Sequence, residues 1–129
     1  MTDIPNRVYL AGPMSGIAAY NFPLFFEITK LLRDQGYDVF NPAENDDGGE
    51  IQSRAYYMRI DIPALMATEA VVVLPGWQES RGASLEVWLA LDLDMPVYRY
   101  EITDGGIKLH RMSDFEHFRL PWRDCEKLR

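Results

Sequence analysis

The 129-residue chain carries thirteen Lys and Arg against twenty Asp and Glu, a formal charge of −7. No positive field is available to hold a polyphosphate backbone, so a nucleic-acid polymer is excluded as the expected partner. The composition, 47% hydrophobic and 12% aromatic, suits one domain over 1–129 with a single core. The only cysteine, Cys125, allows no intrachain disulfide, no CxxC and no cysteine-based zinc set. No apolar run approaches the roughly 18 residues of a membrane span, and a cytoplasmic location without membrane contact is expected.

The first predicted element is a buried strand, "RVYLAGP" (7–13), stopped by Gly12 and Pro13. "GPMSGIAAYN" follows as a loop. Asn21 is then the predicted N-cap of a helix "FPLFFEITKLLRDQG", in which Phe22, Phe25, Phe26, Thr29 and Leu32 recur at helical spacing and Gly36 is the stop. A second strand, "YDVFNP" (37–42), ends at Asn-Pro, and "AENDDGGEIQS" reads as an acidic, glycine-containing loop. "RAYYMRIDIPALMATEA" reads as a helix broken near Asp61, because Pro63 is tolerated in a first turn but kinks a helix interior.

"AVVVLPG" (70–76) is a strand with four consecutive β-type residues and no alternation, as expected where both faces are covered. A helix over "ESRGASLEVWLALD" (79–92) and a fourth strand, "MPVYRY" (95–100), follow. "TDGG" reads as a turn and "IKLHRM" as a further edge strand within a C-terminal extension, 101–129. The order βαβαβαβ predicts an α/β fold, a flavodoxin- or Rossmann-like parallel sheet of four to five strands flanked by helices. Ligands of such sheets bind beyond the carboxyl ends of the strands, which directs attention to the loops after Tyr9, Phe40 and Leu74.

The loop after Leu74, "PGWQESRGAS", runs directly into a helix. Ser80 is a candidate N-cap, Gly82 lets backbone approach a ligand, and the free N–H groups of the helix start make a plausible anion site. Glu86 lies in the early turns of that helix, where the dipole favours an ionised carboxylate suited to nucleophilic attack. Leu85, Val87 and Trp88 flank it, so protein or cleft is its expected surrounding. Asp61 reads equally as a helix cap ahead of Pro63 or as an acid, and Tyr9 as a core aromatic or a hydroxyl donor. His110 and His117 lie in the tail without ligand spacing to other residues, and neither a metal nor a cofactor is expected.

"VYLAGPMSG", "DIPALMATEAVVVLPG" and "SRGASLEVWLA", in this order and at these separations, resemble the nucleoside 2-deoxyribosyltransferase superfamily, in particular its DUF4406 branch. They are also similar to the deoxynucleoside 5′-monophosphate N-glycosidases. The likeness covers about residues 7–100. It implies that Glu86 is the nucleophile that attacks the anomeric carbon of a deoxyribosyl group, that Asp61 handles the proton on the base, and that Tyr9 orients Glu86. The family's Gly-x-Gly-x-Glu-like helix start keeps Gly82 and replaces the second glycine by Ser84, which narrows the expected sugar pocket.

Six residues before Glu86 the transferases carry an aspartate for the sugar 5′-hydroxyl, whereas this chain, like the monophosphate glycosidases, carries Ser80. A hydroxyl there implies a nucleoside 5′-monophosphate, with Gly12, Ser15, Gly16 and Arg81 adding to the same end. The resemblance also implies a small-molecule nucleotide substrate and a homodimer or higher homo-oligomer, for which Trp77, Tyr56 and Tyr57, expected to be exposed, are the candidate contacts. Three other readings stay open: a nucleotide-binding module without turnover, a glycosidase of NAD or ribonucleotides, and, more weakly, an electron-transfer flavoprotein.

Overall fold

A computed structural model describes residues 5–46, 48–113 and 115. Five strands form one sheet: β1 (Arg7–Ala11), β2 (Asp38–Phe40), β3 (Ala70–Val73), β4 (Val97–Thr103) and β5 (Gly106–Arg111), in the spatial order β2-β1-β3-β4-β5. The first four run parallel, with Tyr9 opposite Phe40 on one side and opposite Val71 on the other. Three helices join them: α1 (Phe22–Asp34), α2 (Arg54–Met66) and α3 (Arg81–Asp92). The architecture is the α/β Rossmann-like fold expected, and the edge strand read at "IKLHRM" is β5. A turn at Asp104 and Gly105 leads into it, so β5 pairs antiparallel with β4 and extends that strand to Thr103.

β1 and β3 are apolar on both sides because both faces of the sheet are covered. Val8, Leu10, Ala70 and Val72 point to α1, whose Phe25, Ile28 and Leu32 meet them at the i, i+3, i+7 spacing of one helix face. Full burial of each Val, Leu, Ile or Phe side chain among these contributes about 1.5–3 kcal/mol. Tyr9, Ala11, Val71 and Val73 point the other way, to Leu65 of α2 and to Ala83, Val87 and Ala90 of α3.

Two expectations about helices are corrected. α2 runs unbroken from Arg54 to Met66 with Pro63 inside it. Pro63 costs the helix the hydrogen bond to the carbonyl of residue 59, but Arg59 and Pro63 are both exposed, so water can take the place of the missing N–H. Asn21 is not a side-chain cap. Ala19, Tyr20 and Asn21 turn through the left-handed region, with φ of 53°, 54° and 62°, and the Asn21 amide instead donates to the carbonyl of Pro13 at 3.0 Å.

Candidate active site

The chain leaves β1 toward β2 and leaves β3 toward β4, so the crevice between their carboxyl ends is the topological switch point of the sheet. A cavity of about 860 Å³ opens there, at the upper end of the size usual for small-molecule sites. Gly12 and Pro13 after β1, Pro75 and Gly76 beyond β3, and the start of α3 form its floor and one wall. Gly12 has no room for a side chain: a Cβ would lie 2.7 Å from Cβ of Leu74.

Glu86, 5% exposed, projects from the second turn of α3 into this cavity. The hydroxyl of Tyr9, on fully buried β1, donates to its Oε2. Phe40 stacks on the Tyr9 ring at 5.4 Å and 8°, which fixes the ring from the β2 side. Burial drives the Tyr9 phenol well above its ordinary range, so the hydroxyl stays a neutral donor.

The expectation that Glu86 is held ionised by the helix dipole is corrected. Burial raises its carboxyl to about 8, opposed by the Tyr9 hydrogen bond, and the nearby Asp61 raises it further while Arg54 lowers it. The dipole acts on the first turn; Glu86 is a turn further along, where loss of water dominates.

Asp61, 7% exposed, reaches the same cavity from the middle of α2. Its Oδ1 accepts from Nδ2 of Asn45 at 2.7 Å. Burial raises Asp61 to about 6, and the Asn45 bond opposes the rise. A buried tyrosine-held acid on one wall and a buried amide-held acid on the other thus face a common space.

At the mouth, Ser80 caps α3: its Oγ accepts from the N–H of Ala83 at 3.1 Å, which leaves its own proton free to donate. Ser15, Arg81 and Gly82 line the cavity beside it, and the first N–H groups of the helix have no intrahelical partner. Two residues expected here are placed elsewhere. Ser84 does not line the cavity, because its hydroxyl turns back to the carbonyls of Trp77 and Gln78 at 3.2 and 3.1 Å, and so it does not narrow a sugar pocket. Gly16 lies in the loop with φ +80° but outside the lining.

Trp77 is 5% exposed and packs against Phe115, which corrects its reading as a surface contact. Tyr56 is exposed, while Tyr57 lines the cavity and its hydroxyl accepts from the N–H of Gln52. His110 bonds Glu101 on the β4–β5 hairpin, away from the cavity, and His117 and Cys125 lie outside the described residues. Among the described residues no cluster of three His, Cys, Asp or Glu side chains has the arrangement of a metal site, and no helix is long and apolar enough to cross a membrane.

Asn45 and Arg54 are site residues that sequence reading missed. Asn45 sat in a segment read as unstructured loop; the available signal was Asn41-Pro42, a cap followed by a proline at a helical first turn. Arg54 lines the cavity as the first residue of α2, and nothing in its sequence surroundings marks it.

The sheet order, the switch-point cavity and the paired acids define an α/β protein with a carboxylate-bearing crevice. Residues 6–99 match the family described as a domain of unknown function, DUF4406, and the chain belongs to that family. Its fold is similar to that of a 2-deoxyribosyltransferase from the psychrotolerant bacterium Bacillus psychrosaccharolyticus, at 21% identity and a TM-score of 0.56 over 72% of this chain and 70% of that one. It is also similar to a conserved protein from Enterococcus faecalis V583, at 24% identity and a TM-score of 0.54. That likeness spans 74% of this chain and 63% of the other, less than two thirds of its length. No curated protein matches the chain.

Proposed function

We propose that this protein cleaves the N-glycosidic bond of deoxynucleoside 5′-monophosphates, passing the sugar to water or to a second base. The observation that carries this reading is the convergence of Glu86, held from behind by the Tyr9 hydroxyl, and Asp61 on one cavity at the switch point. The likeness of the fold to a 2-deoxyribosyltransferase supports it.

In this reading a Glu86 carboxylate oxygen attacks C1′ of the sugar while the C1′–N bond breaks and its electron pair passes to the base. Asp61 gives its proton to the base nitrogen. The sugar then rests on Glu86 as an ester until a water, or a second base, attacks C1′; Asp61 takes the proton of that nucleophile and the ester electrons return to Glu86. Tyr9 holds one Glu86 oxygen and steadies the negative charge when the ester is released. The productive form has its proton on Asp61 and none on Glu86, so rate against pH is bell-shaped, with breaks near the two values of the coupled pair.

Ser80 and the open N–H groups of α3 favour a 5′-phosphate. A carboxylate in that place would oppose it by about 4 kcal/mol for each pair of unit charges 4 Å apart near a protein surface, whereas a hydroxyl donates. Chromatography of base release from deoxynucleoside 5′-monophosphates, the matching nucleosides, AMP and NAD tests the reading. Release that requires both the phosphate and the absence of a 2′-hydroxyl is expected; preference for the nucleosides would remove the role given to Ser80.

One observation favours a second reading. Burial of Glu86 pushes its carboxyl up and so favours a neutral acid, as suits a binding module without turnover. That reading predicts ligand-induced thermal stabilisation with no base released from any member of the panel. The assembly is read as a homo-oligomer that uses the exposed Tyr56 and Ile60 of α2, which sedimentation of the wild type and of Tyr56→Ser tests.

A further inference from the structure

The two buried acids are held in the same way. Glu86 has one oxygen, Oε2, engaged by the Tyr9 hydroxyl, and Asp61 has one oxygen, Oδ1, engaged by the Asn45 amide at 2.7 Å. Among the described residues no second hydrogen bond reaches either carboxyl. Tyr9 is fixed by the sheet, so the question is what fixes Asn45.

Asn45 ends a four-residue 3₁₀ turn, Pro42–Asn45, that follows β2. The turn is anchored from three directions. Asn41 caps it by accepting from the N–H of Ala43 at 2.9 Å. Pro42 presets its first backbone angle. Arg33, in the last turn of α1, makes a bidentate bridge to Glu44 at 2.7 and 2.8 Å and also donates to the carbonyl of Val39 at 2.9 Å. A bidentate arginine bridge fixes orientation as well as distance. The amide that meets Asp61 is therefore delivered by a clamped turn sixteen residues away in sequence.

We propose that Asn45 is a positioning residue: its amide binds Oδ1 of Asp61 from a clamped turn and so makes Oδ2 the oxygen that exchanges the proton with the departing base. This inference rests on the glycosidic reading of the site. The chemistry is consistent in both states of the acid. Protonated on Oδ2, Asp61 offers Oδ1 as a carbonyl acceptor to Asn45 and its O–H to the base nitrogen; ionised, it keeps the same bond and takes the proton of the attacking water on Oδ2. Without the amide the carboxyl turns freely, and the proton sits on either oxygen.

Asn45 also affects titration, since a donor favours the ionised acid. Asp61 is electrostatically coupled to Glu86 of α3 and Tyr9 of β1, and Arg54 of α2 lines the same cavity with Asp46, Glu79 and Arg81. Asn45→Ala leaves all of these in place.

The test has two readouts. The first is the titration of Asp61 in free protein, followed by NMR of ¹³C-labelled carboxyls in the wild type, Asn45→Ala and Arg33→Leu, each checked for folding. The second is kcat, KM and the pH profile of base release. Asp61 titrating at higher pH in Asn45→Ala, with kcat down about 10- to 100-fold, as for a misplaced catalytic group, KM little changed and the acid-side break moved up, supports the inference. Arg33→Leu, remote from the cavity, shifts the same break in the same direction by less. An Asp61 titration identical in wild type and Asn45→Ala overturns it, as does a rise in KM alone with unmoved breaks, which would make Asn45 a substrate contact. If the titration moves but the wild type releases no base from any substrate, the glycosidic reading fails and the catalytic role of Asn45 fails with it.

Discussion

The two faces of the sheet are built from the same strands and do different work. On the α1 face, Val8, Leu10, Val72, Ile28 and Leu32 close into an apolar layer in which every side chain gains by leaving water. On the α2 and α3 face the alternate residues of the same strands include Tyr9, and the layer ends at two acids, Glu86 and Asp61, buried against their ordinary preference for water. One face stabilises the domain; the other carries its titratable groups in a state that costs stability. The contrast teaches that a carboxyl can be held at the wrong protonation for solution chemistry when a close-packed layer behind it offsets the cost.

Substitutions sharpen this contrast. The largest effect is expected for Glu86→Ala, which loses base release by about 10⁴-fold or more, as nucleophile removal does elsewhere, while the folded protein gains stability at neutral pH; kinetics and denaturant unfolding together check it. Leu32→Ala, on the apolar face, reverses the pattern: unfolding free energy falls by about 2–5 kcal/mol, and turnover per folded molecule is retained. Gly12→Ala sets the two faces against each other at the cavity floor, where the new Cβ meets Leu74 and costs about 1–3 kcal/mol of overpacking.

Stability against pH separates the faces more finely. The folded value of Glu86, about 8, lies above its ordinary value of 4.5, so the folded chain holds a proton that the unfolded chain releases. The stability that this group contributes is complete below about 4.5 and is lost as pH rises through about 8, at up to about 1.4 kcal/mol per pH unit. Asp61 adds a smaller loss between 3.8 and about 6. Glu86→Gln flattens the upper part of the curve, which urea titrations at several pH values measure. The smallest effect is expected for Gly82→Ala, whose Cβ meets only Met58 Sδ at 3.7 Å: a gain of about 0.4–1 kcal/mol from a stiffer unfolded chain, read by the same titrations.

The strands and their parallel order were legible because unbroken apolar runs such as "AVVV" and the alternation with helical spacing depend on local pattern alone. The crevice followed from that order, and Ser80 was legible as a cap because capping is a local interaction. What was not legible depends on distant neighbours. The continuity of α2 through Pro63 depends on Arg59 and Pro63 facing water, which no short-range rule reports. Burial under groups from β1, α2 and α3 raises the Glu86 carboxyl, an influence that a rule about helix dipoles does not contain. Ser84 and Trp77 were read for the wrong surroundings because their partners, the turn carbonyls and Phe115, come into contact only in the folded chain. The Asn45–Asp61 bond joins a stretch that looks like loop to the middle of a helix, and composition carries no sign of it.

The central claim is that Glu86 carries the sugar as an ester between base departure and release. It is tested most directly by intact-protein and peptide mass spectrometry of enzyme quenched during turnover of a deoxynucleoside 5′-monophosphate. An added deoxyribosyl phosphate on the peptide that contains Glu86, absent from Glu86→Ala, is the predicted result; brisk base release with no adduct on any peptide would contradict it.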